Sequence, residues 1–273
     1  MPKHLIGLIL VLPALAVILL LFIVPLAASV LGAFEEGSGY GLGNFTKAFE
    51  LYGSDVVFTV LIVGLSTVLI GLLSIAIGGY LTLGENPRAV AMLRWLYRWP
   101  MFIPFIVVGQ VLRTFLAKNG LMNNILVGAD IITPLQAASF LDWRGIVIAF
   151  VWKQTPFVTL LVAGAMASVD RGTIEAARNL GASRLRILFE ILVPQVATTL
   201  MVGLVLSFVT MMSVLSVPLM INAQSPTMIT ADIAFRINAY GDYGVANALG
   251  LISLAVTACV AWFYLRHAMK ERT

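Results

Sequence analysis

Residues 175–194 read EAARNLGASRLRILFEILVP. Within this stretch stand Glu175, Arg178, Arg184, Arg186 and Glu190, while long, almost uncharged apolar runs flank it on both sides. The 273-residue chain is 60% hydrophobic and 11% charged, with a mean hydropathy of +0.99. A soluble domain carries nearer a quarter of its residues as charge, because its surface faces water. The composition therefore places the chain in a bilayer. The charged stretch is a water-facing insert in a lipid-soluble sequence.

Working outward, apolar runs that suffice to cross about 30 Å of hydrocarbon, roughly 20 residues each, fall at about 5–31, 56–83, 99–116, 143–167, 196–221 and 245–265. They predict an all-α, polytopic membrane protein with six transmembrane helices. The first run follows Lys3 and His4 as a signal peptide would. It exceeds the roughly 7–15 apolar residues of such a peptide, so it reads as an uncleaved anchor, with Pro13 and Pro25 as places to bend. Pro100 and Pro104 interrupt the start of the third run. Outer loops are expected at 32–55, 117–142 and 222–244, the first made irregular by the glycine-rich EEGSGYGLGN.

Lys3, Arg88, Arg94, Arg98, Arg171, Arg178, Arg184, Arg186, Arg266, Lys270 and Arg272 fall on one set of loops and ends, and only Lys47, Lys118 and Arg236 on the other. Basic residues concentrate in cytoplasmic loops, so both termini and the 175–194 insert are expected in the cytoplasm. The net charge of +4 and pI near 9.4 follow from the same excess. No basic stripe interleaved with aromatics marks a nucleic-acid partner. Cys259 stands alone in an apolar run, which excludes an intrachain disulfide and argues against a cysteine-based metal site.

The insert has helix signals of its own. Asp170 or Thr173 can cap a helix whose first turn holds Glu175, where a carboxylate favours the helix dipole. Glu175, Ala176, Ala177, Arg178 and Leu180 have good or acceptable helix propensity, and Gly181 ends the helix or turns it sharply. Ser183 to Glu190 is expected to form a second short helix, with Pro194 where the fifth span begins. Two short helices joined at a glycine make a protruding knob, with Ala176 and Ala177 giving it a low-profile face. The plain alternative is a surface loop whose arginines snorkel to headgroups.

The spacing Glu-Ala-Ala, three residues, Gly, nine residues, Ile, one residue, Leu-Pro resembles the EAA loop of ATP-binding-cassette importer permeases. Glu175-Ala176-Ala177, Gly181, Ile191 and Pro194 stand in register, with Val193 where leucine is usual. VWKQTPFVTLLVAGAMASV before the loop and YGDYGVANALGLISLAV after it also resemble this family. The chain thus looks like a type I importer permease, similar to those for maltose, molybdate, spermidine/putrescine and ferric iron, and closest in look to the polyamine, iron and phosphonate branch.

The resemblance implies a transmembrane core at 56–266 containing a coupling loop at 170–194, an extra N-terminal helix with its outer loop at 1–55, and a cytoplasmic tail at 267–273. It implies a transport subunit of a bacterial inner membrane rather than an enzyme. Its partners would be two ATPase subunits, a second permease subunit, identical or related, and an extracytoplasmic solute-binding protein. ATP and Mg would sit on the ATPases, with no cofactor in this chain. Glu175, Ala176, Ala177, Arg178, Gly181, Ala182, Ile191 and Pro194 would form the ATPase-coupling element. In it Glu175 would face basic or polar groups of the ATPase, the alanines would permit close packing, and Gly181 would set the angle of the knob. Arg178, Arg184 and Arg186 read equally as rim contacts and as topology anchors.

No G-x-x-x-x-G-K-[ST] phosphate loop is present, and His4 and His267 lie at opposite ends of the chain. The six predicted runs hold no Asp or Glu. Proton-coupled transporters keep an intramembrane carboxylate, which weighs against the alternative of a secondary transporter or channel without an ATPase partner. The translocation-pathway candidates are Lys153, Gln154, Gln110, Arg113, Ser207, Thr210 and Ser213. Lys153 lies about 15 Å along the fourth run from Trp143. It either faces an aqueous cavity or reaches to carbonyls. The three-residue spacing of Ser207, Thr210 and Ser213 fits a lined pathway or back-bonding to their own helix. A pathway with Lys153 and Arg113 and no carboxylate would repel dications and suit anions or neutral polyols.

Overall fold

A computed structural model describes residues 3–37, 39–222 and 224–270, with the backbone alone for 3–10, 264, 265 and 267–270. The end of the expected tail, 271–273 with Arg272, lies outside the described residues. Helices are α1 (residues 3–34), α2 (Gly43–Leu83), α3 (Pro87–Leu96), α4 (Phe105–Leu116), α5 (Leu121–Gly128), α6 (Trp143–Ala167), α7 (Arg171–Asn179), α8 (Arg184–Met212), α9 (Ser216–Ile221), α10 (Ile229–Phe235) and α11 (Tyr243–Lys270). Two short antiparallel strands, β1 (Glu35–Glu36) and β2 (Gly39–Tyr40), form a hairpin after α1. Among the described residues, five helices are long and apolar enough to span a membrane, and six if the bent pair containing α3 and α4 counts as one span.

The differences from the sequence reading have local causes. α2 starts at Gly43, not Val56, so the second half of the expected irregular loop is helical. Forty-one residues at 1.5 Å each make a rod of about 61 Å, twice the hydrocarbon thickness, and one end must leave it. This extension carries Glu50 and Asp55. It begins where the Glu36 carboxylate accepts from the Gly43 amide and the Asn44 amide donates to the carbonyls of Ala33 (3.2 Å) and Glu35 (2.8 Å). The stretch 117–142, expected as an outer loop, likewise holds α5 and a 3₁₀ turn at Pro134–Gln136.

The third span is bent by 106° between Phe102 and Phe105. Pro104 forces Ile103 out of the helical region (φ −90°, ψ 122°), as a residue before proline tends to be forced. The fifth span ends at Met212 rather than Ile221. Pro218 clashes with a helical carbonyl at position 214 and has no amide to donate, so a separate helix, α9, restarts at Ser216 with the proline in its first turn. At the other end, the second helix of the knob does not stand apart, because α8 runs unbroken from Arg184 and takes Glu190 into the span helix. A π turn at Leu188–Leu192 absorbs Pro194, with the Val193 amide reaching back to the Leu188 carbonyl. The same device, Leu19–Ile23 with Val24 bonded to Leu19, precedes Pro25 in α1. A π turn inserts a residue where proline cannot continue the normal ladder.

The chain divides into two compact units. The larger comprises 55–231 and 256–273. Its core packs α6 against α8, and α9 against α4 and α6, around Phe150, Ile146, Met166, Ile187, Leu192 and Met211. Without a hydrophobic drive in lipid, close packing and small residues hold such helices. A Cβ on Gly203 would lie 3.3 Å from Val158, and Thr159 donates to Ser74 across α6 and α2 in the buried interior. The smaller unit comprises 1–54 and 232–255. In it Ser29 donates to Asn247 (2.8 Å), and Arg236 lies against the rings of Tyr52 and Tyr240 while donating to Tyr52 Oη (2.6 Å).

Candidate functional site

α7 is a nine-residue helix with both ends specified by sequence. At its start the Asp170 carboxylate accepts from the Thr173 amide (3.0 Å) and hydroxyl (3.2 Å). Those bonds, with the Gly172 amide first among them, hold the Asp170 pKa below its ordinary value. At its end the Gly181 amide donates to the Arg178 carbonyl (2.9 Å) and the Ala182 amide to the Ala177 carbonyl (3.0 Å). This pair of bonds is the Schellman stop, which needs a left-handed residue between them. Gly181 supplies it at φ +81°. A Cβ there would meet nothing within 4 Å, so the glycine is required by conformation and not by crowding.

The helix presents two faces. Ile174 is buried, Ala177 and Ala182 pack against the core, and the Arg178 guanidinium reaches the Leu83 carbonyl at 3.5 Å. Arg171, Ile174, Glu175 and Arg178, at helical spacing, line a cavity of about 520 Å³ that also receives Arg94, Tyr97 and Arg98. Glu175 therefore sits beside arginines of its own chain. Ala176 is exposed on α7, and Leu180 at its end is 89% exposed. After the turn, Ser183 caps α8 by accepting from the Arg186 amide (3.3 Å). Arg184 pairs with Glu85, and Arg186 with Glu190 (2.9 Å). Ile191 is half-buried against the core, and Pro194 is exposed just past the π turn.

The pathway candidates do not gather on one surface. The Lys153 ammonium donates to the carbonyls of Pro100 (3.0 Å) and Met101 (2.8 Å), with the Phe105 ring 5.5 Å away. These carbonyls belong to the last turn before the break in the third span, where helix bonding stops. Gln154 beside it is buried, whereas Gln110 is exposed on α4. Arg113 lines a separate cavity of about 290 Å³ with Asn222 and Gln224. Ser207 is fully buried in α8, while Thr210 donates to Leu206 (2.8 Å) and Ser213 to Thr210 (2.8 Å), both back to their own helix. Residues three apart drift about 60° per step around a 3.6-residue helix, which is why Ser207 and Ser213 part company.

Sequence reasoning passed over Leu180. Its signal was a leucine out of phase with Ile174 and Ala177, immediately before the glycine stop.

The family described as "Binding-protein-dependent transport system inner membrane component" matches residues 74–272. The chain belongs to this family and is a multi-pass inner-membrane transport component. The sulfoquinovosyl glycerol transport system permease protein of Agrobacterium fabrum is 26% identical, over 96% of this chain and 90% of that one. The trehalose/maltose transport system permease protein of Thermococcus litoralis is 28% identical, over 95% and 92%. Among solved structures, a chain of the bacterial alginate ABC transporter in complex with its alginate-bound periplasmic protein superposes with a TM-score of 0.81 at 20% identity, covering 96% of this chain and 93% of that chain. A chain of the inward-facing MetNI methionine ABC transporter gives 0.58 at 17% identity, over 79% and 93%. The fold is that of a type I ATP-binding-cassette importer permease, and the function is that of a permease subunit of such an importer.

Proposed function

We propose that this permease forms a pathway for a small polar solute delivered by an extracytoplasmic binding protein, and that α7 with its glycine stop is the contact through which two separate ATPase subunits drive it. A second permease subunit completes the pathway. ATP and Mg are held by the ATPases, both termini are cytoplasmic, and the transport core is 56–266. The observation that carries this reading is a short helix fixed at both ends by side-chain and backbone caps, with Ala176 and the 89% exposed Leu180 presented away from the core. An exposed leucine beside a small residue is a knob suited to a partner's apolar pocket. Glu175 is exposed but lines the cavity beside Arg171 and Arg178, and in this reading it steadies α7 through those arginines rather than touching the ATPase. Lys153 acts as a staple for the broken third span, which leaves Arg113 as the remaining charged pathway candidate.

The test is Leu180→Asp. Leu180 supports nothing in its own fold, so membrane insertion stays at the wild-type level. ATPase co-purification and ATP-driven uptake each fall at least tenfold. Full co-purification by this variant removes α7 as the contact, and uptake that persists without any ATPase returns the secondary-transporter alternative.

A further inference from the structure

The cavity behind α7 is over-supplied with positive charge. Arg94 in α3 and Arg98, two residues past its end, line the same cavity as Arg171 and Arg178, seven apart on one side of α7. Glu175 is the one carboxylate lining it. Arg98 donates to the Tyr97 hydroxyl (3.2 Å), and Arg178 reaches the Leu83 carbonyl. Among the described residues, the guanidiniums of Arg94 and Arg171 have no hydrogen-bond or ion-pair partner. Topology anchoring explains why arginines lie on this side, but not why these four converge. Arg184 and Arg186, on the same set of loops, are each neutralised by a carboxylate, Glu85 and Glu190.

We propose that this cavity binds a phosphate-class oxyanion, which bridges α3 to α7. Guanidinium forks match phosphate oxygens two at a time. Like charges gathered on one cavity wall repel each other, and a dianion between them reverses the sign of that interaction. The volume of about 520 Å³ falls inside the range of about 300–1,000 Å³ typical of small-ligand sites. The group comes either from a free phosphate or phosphate ester, or from the headgroup of an anionic lipid in the adjoining leaflet. A bound anion would tie the coupling helix to the segment that follows α2, and so set how freely α7 moves.

The complex of permease and ATPase is prepared in nanodiscs of neutral phosphatidylcholine, and its unfolding temperature is followed as inorganic phosphate is added against chloride of equal ionic strength. A parallel arm replaces part of the neutral lipid with phosphatidylglycerol and omits phosphate. The expected result is a rise in unfolding temperature in at least one arm, lost in Arg94→Gln/Arg171→Gln and kept in the control Arg184→Gln/Arg186→Gln. A rise with phosphate identifies a free anion, and a rise with phosphatidylglycerol identifies a lipid. Phosphate bound at the ATPase nucleotide sites gives a rise that the permease variant does not remove. A rise unchanged in Arg94→Gln/Arg171→Gln, or no rise in either arm, overturns the proposal. Should that variant fail to assemble, Arg171→Gln alone, at an exposed position of α7, is read the same way. ATPase co-purification from the same preparations reports separately on the coupling role of α7.

Discussion

The backbone at Gly181 offers a graded test of how the coupling helix is held. Its φ of +81° lies in the left-handed region, and a Cβ there would meet nothing within 4 Å. Substitution therefore costs local backbone energy with no clash against surrounding residues. For alanine that cost is about 1–2 kcal/mol, and since each 1.4 kcal/mol is about tenfold, the stop opens roughly five to thirty times more often. Asparagine tolerates the left-handed region better and should fall between glycine and alanine. Proline is different in kind. It fixes φ near −65° and removes the amide that donates to the Arg178 carbonyl, so both terminal bonds of α7 are lost. Each such bond is worth about 0.5–1.5 kcal/mol net, in addition to the misdirected exit of the chain. Hydrogen exchange over 176–185 reads the opening directly. Protection should fall in the order Gly, Asn, Ala, Pro, with ATP-driven uptake abolished only in Gly181→Pro and membrane insertion unchanged throughout. An order that follows side-chain size, with Ala milder than Asn, would refute the conformational argument and point to a partner surface packed on Gly181. Full uptake by Gly181→Pro would remove the stop from the mechanism altogether.

Two further predictions concern charged staples. Lys153→Met leaves the Met101 carbonyl without its donor and the Pro100 carbonyl with the Ile103 amide alone, and hydrogen bonds from a charged group are worth about 1.5–3 kcal/mol. Thermal unfolding of the purified permease should show a loss of about that size, with Lys153→Arg recovering most of it and ATPase co-purification unaffected; wild-type stability in Lys153→Met would return the residue to the pathway. Asp242 caps α11 through the Val245 amide and pairs with Lys47 and Arg236. Burial pushes its pKa up, but the Lys47 hydrogen bond, the Val245 amide and the charges of Lys47 and Arg236 together hold it below the ordinary 3.8. A depressed carboxylate stabilises the fold above its unfolded pKa and loses that contribution as pH falls through the folded value. Unfolding measured from pH 6 downward should therefore lose stability below about pH 4, and Asp242→Asn should be less stable at pH 6 with that part of the slope gone; an unchanged slope in Asp242→Asn would assign acid sensitivity elsewhere.

Composition made the spans legible and left their interruptions obscure. The fourth, Trp143–Ala167, needed only an apolar run and the Asp142 cap, and was read to the residue. The N-terminal extension of α2 is not legible because KAFELYGSD carries enough charge to read as a loop, whereas its helix is held at its start by Glu36 and Asn44. The second helix of the knob starts where expected, after the Ser183 cap, but it does not end before the span, because a π turn lets the helix pass Pro194.

Lys153 and Glu175 show why a site needs coordinates even when its motif is plain. An intramembrane lysine has two physical outcomes, and here its ammonium reaches carbonyls some fifty positions earlier in the chain, beside a proline break. No local window contains both facts. Glu175 is exposed and charged on an amphipathic helix, which from sequence points to solvent and partner. The face it occupies is fixed instead by Ile174 beside it, which must be buried, and by Arg171 and Arg178 on the same stripe. The motif glutamate lines the cavity with those arginines while remaining exposed, and the plain Leu180 at the helix end is left bare. A comparison of Glu175→Gln with Leu180→Asp separates the two roles. The first should loosen α7 against its own chain, seen as faster exchange over 171–180 with ATPase still bound. The second should leave exchange in the free permease unchanged and lose the ATPase. The reverse pattern would mean that α7 is turned the other way in the assembled transporter.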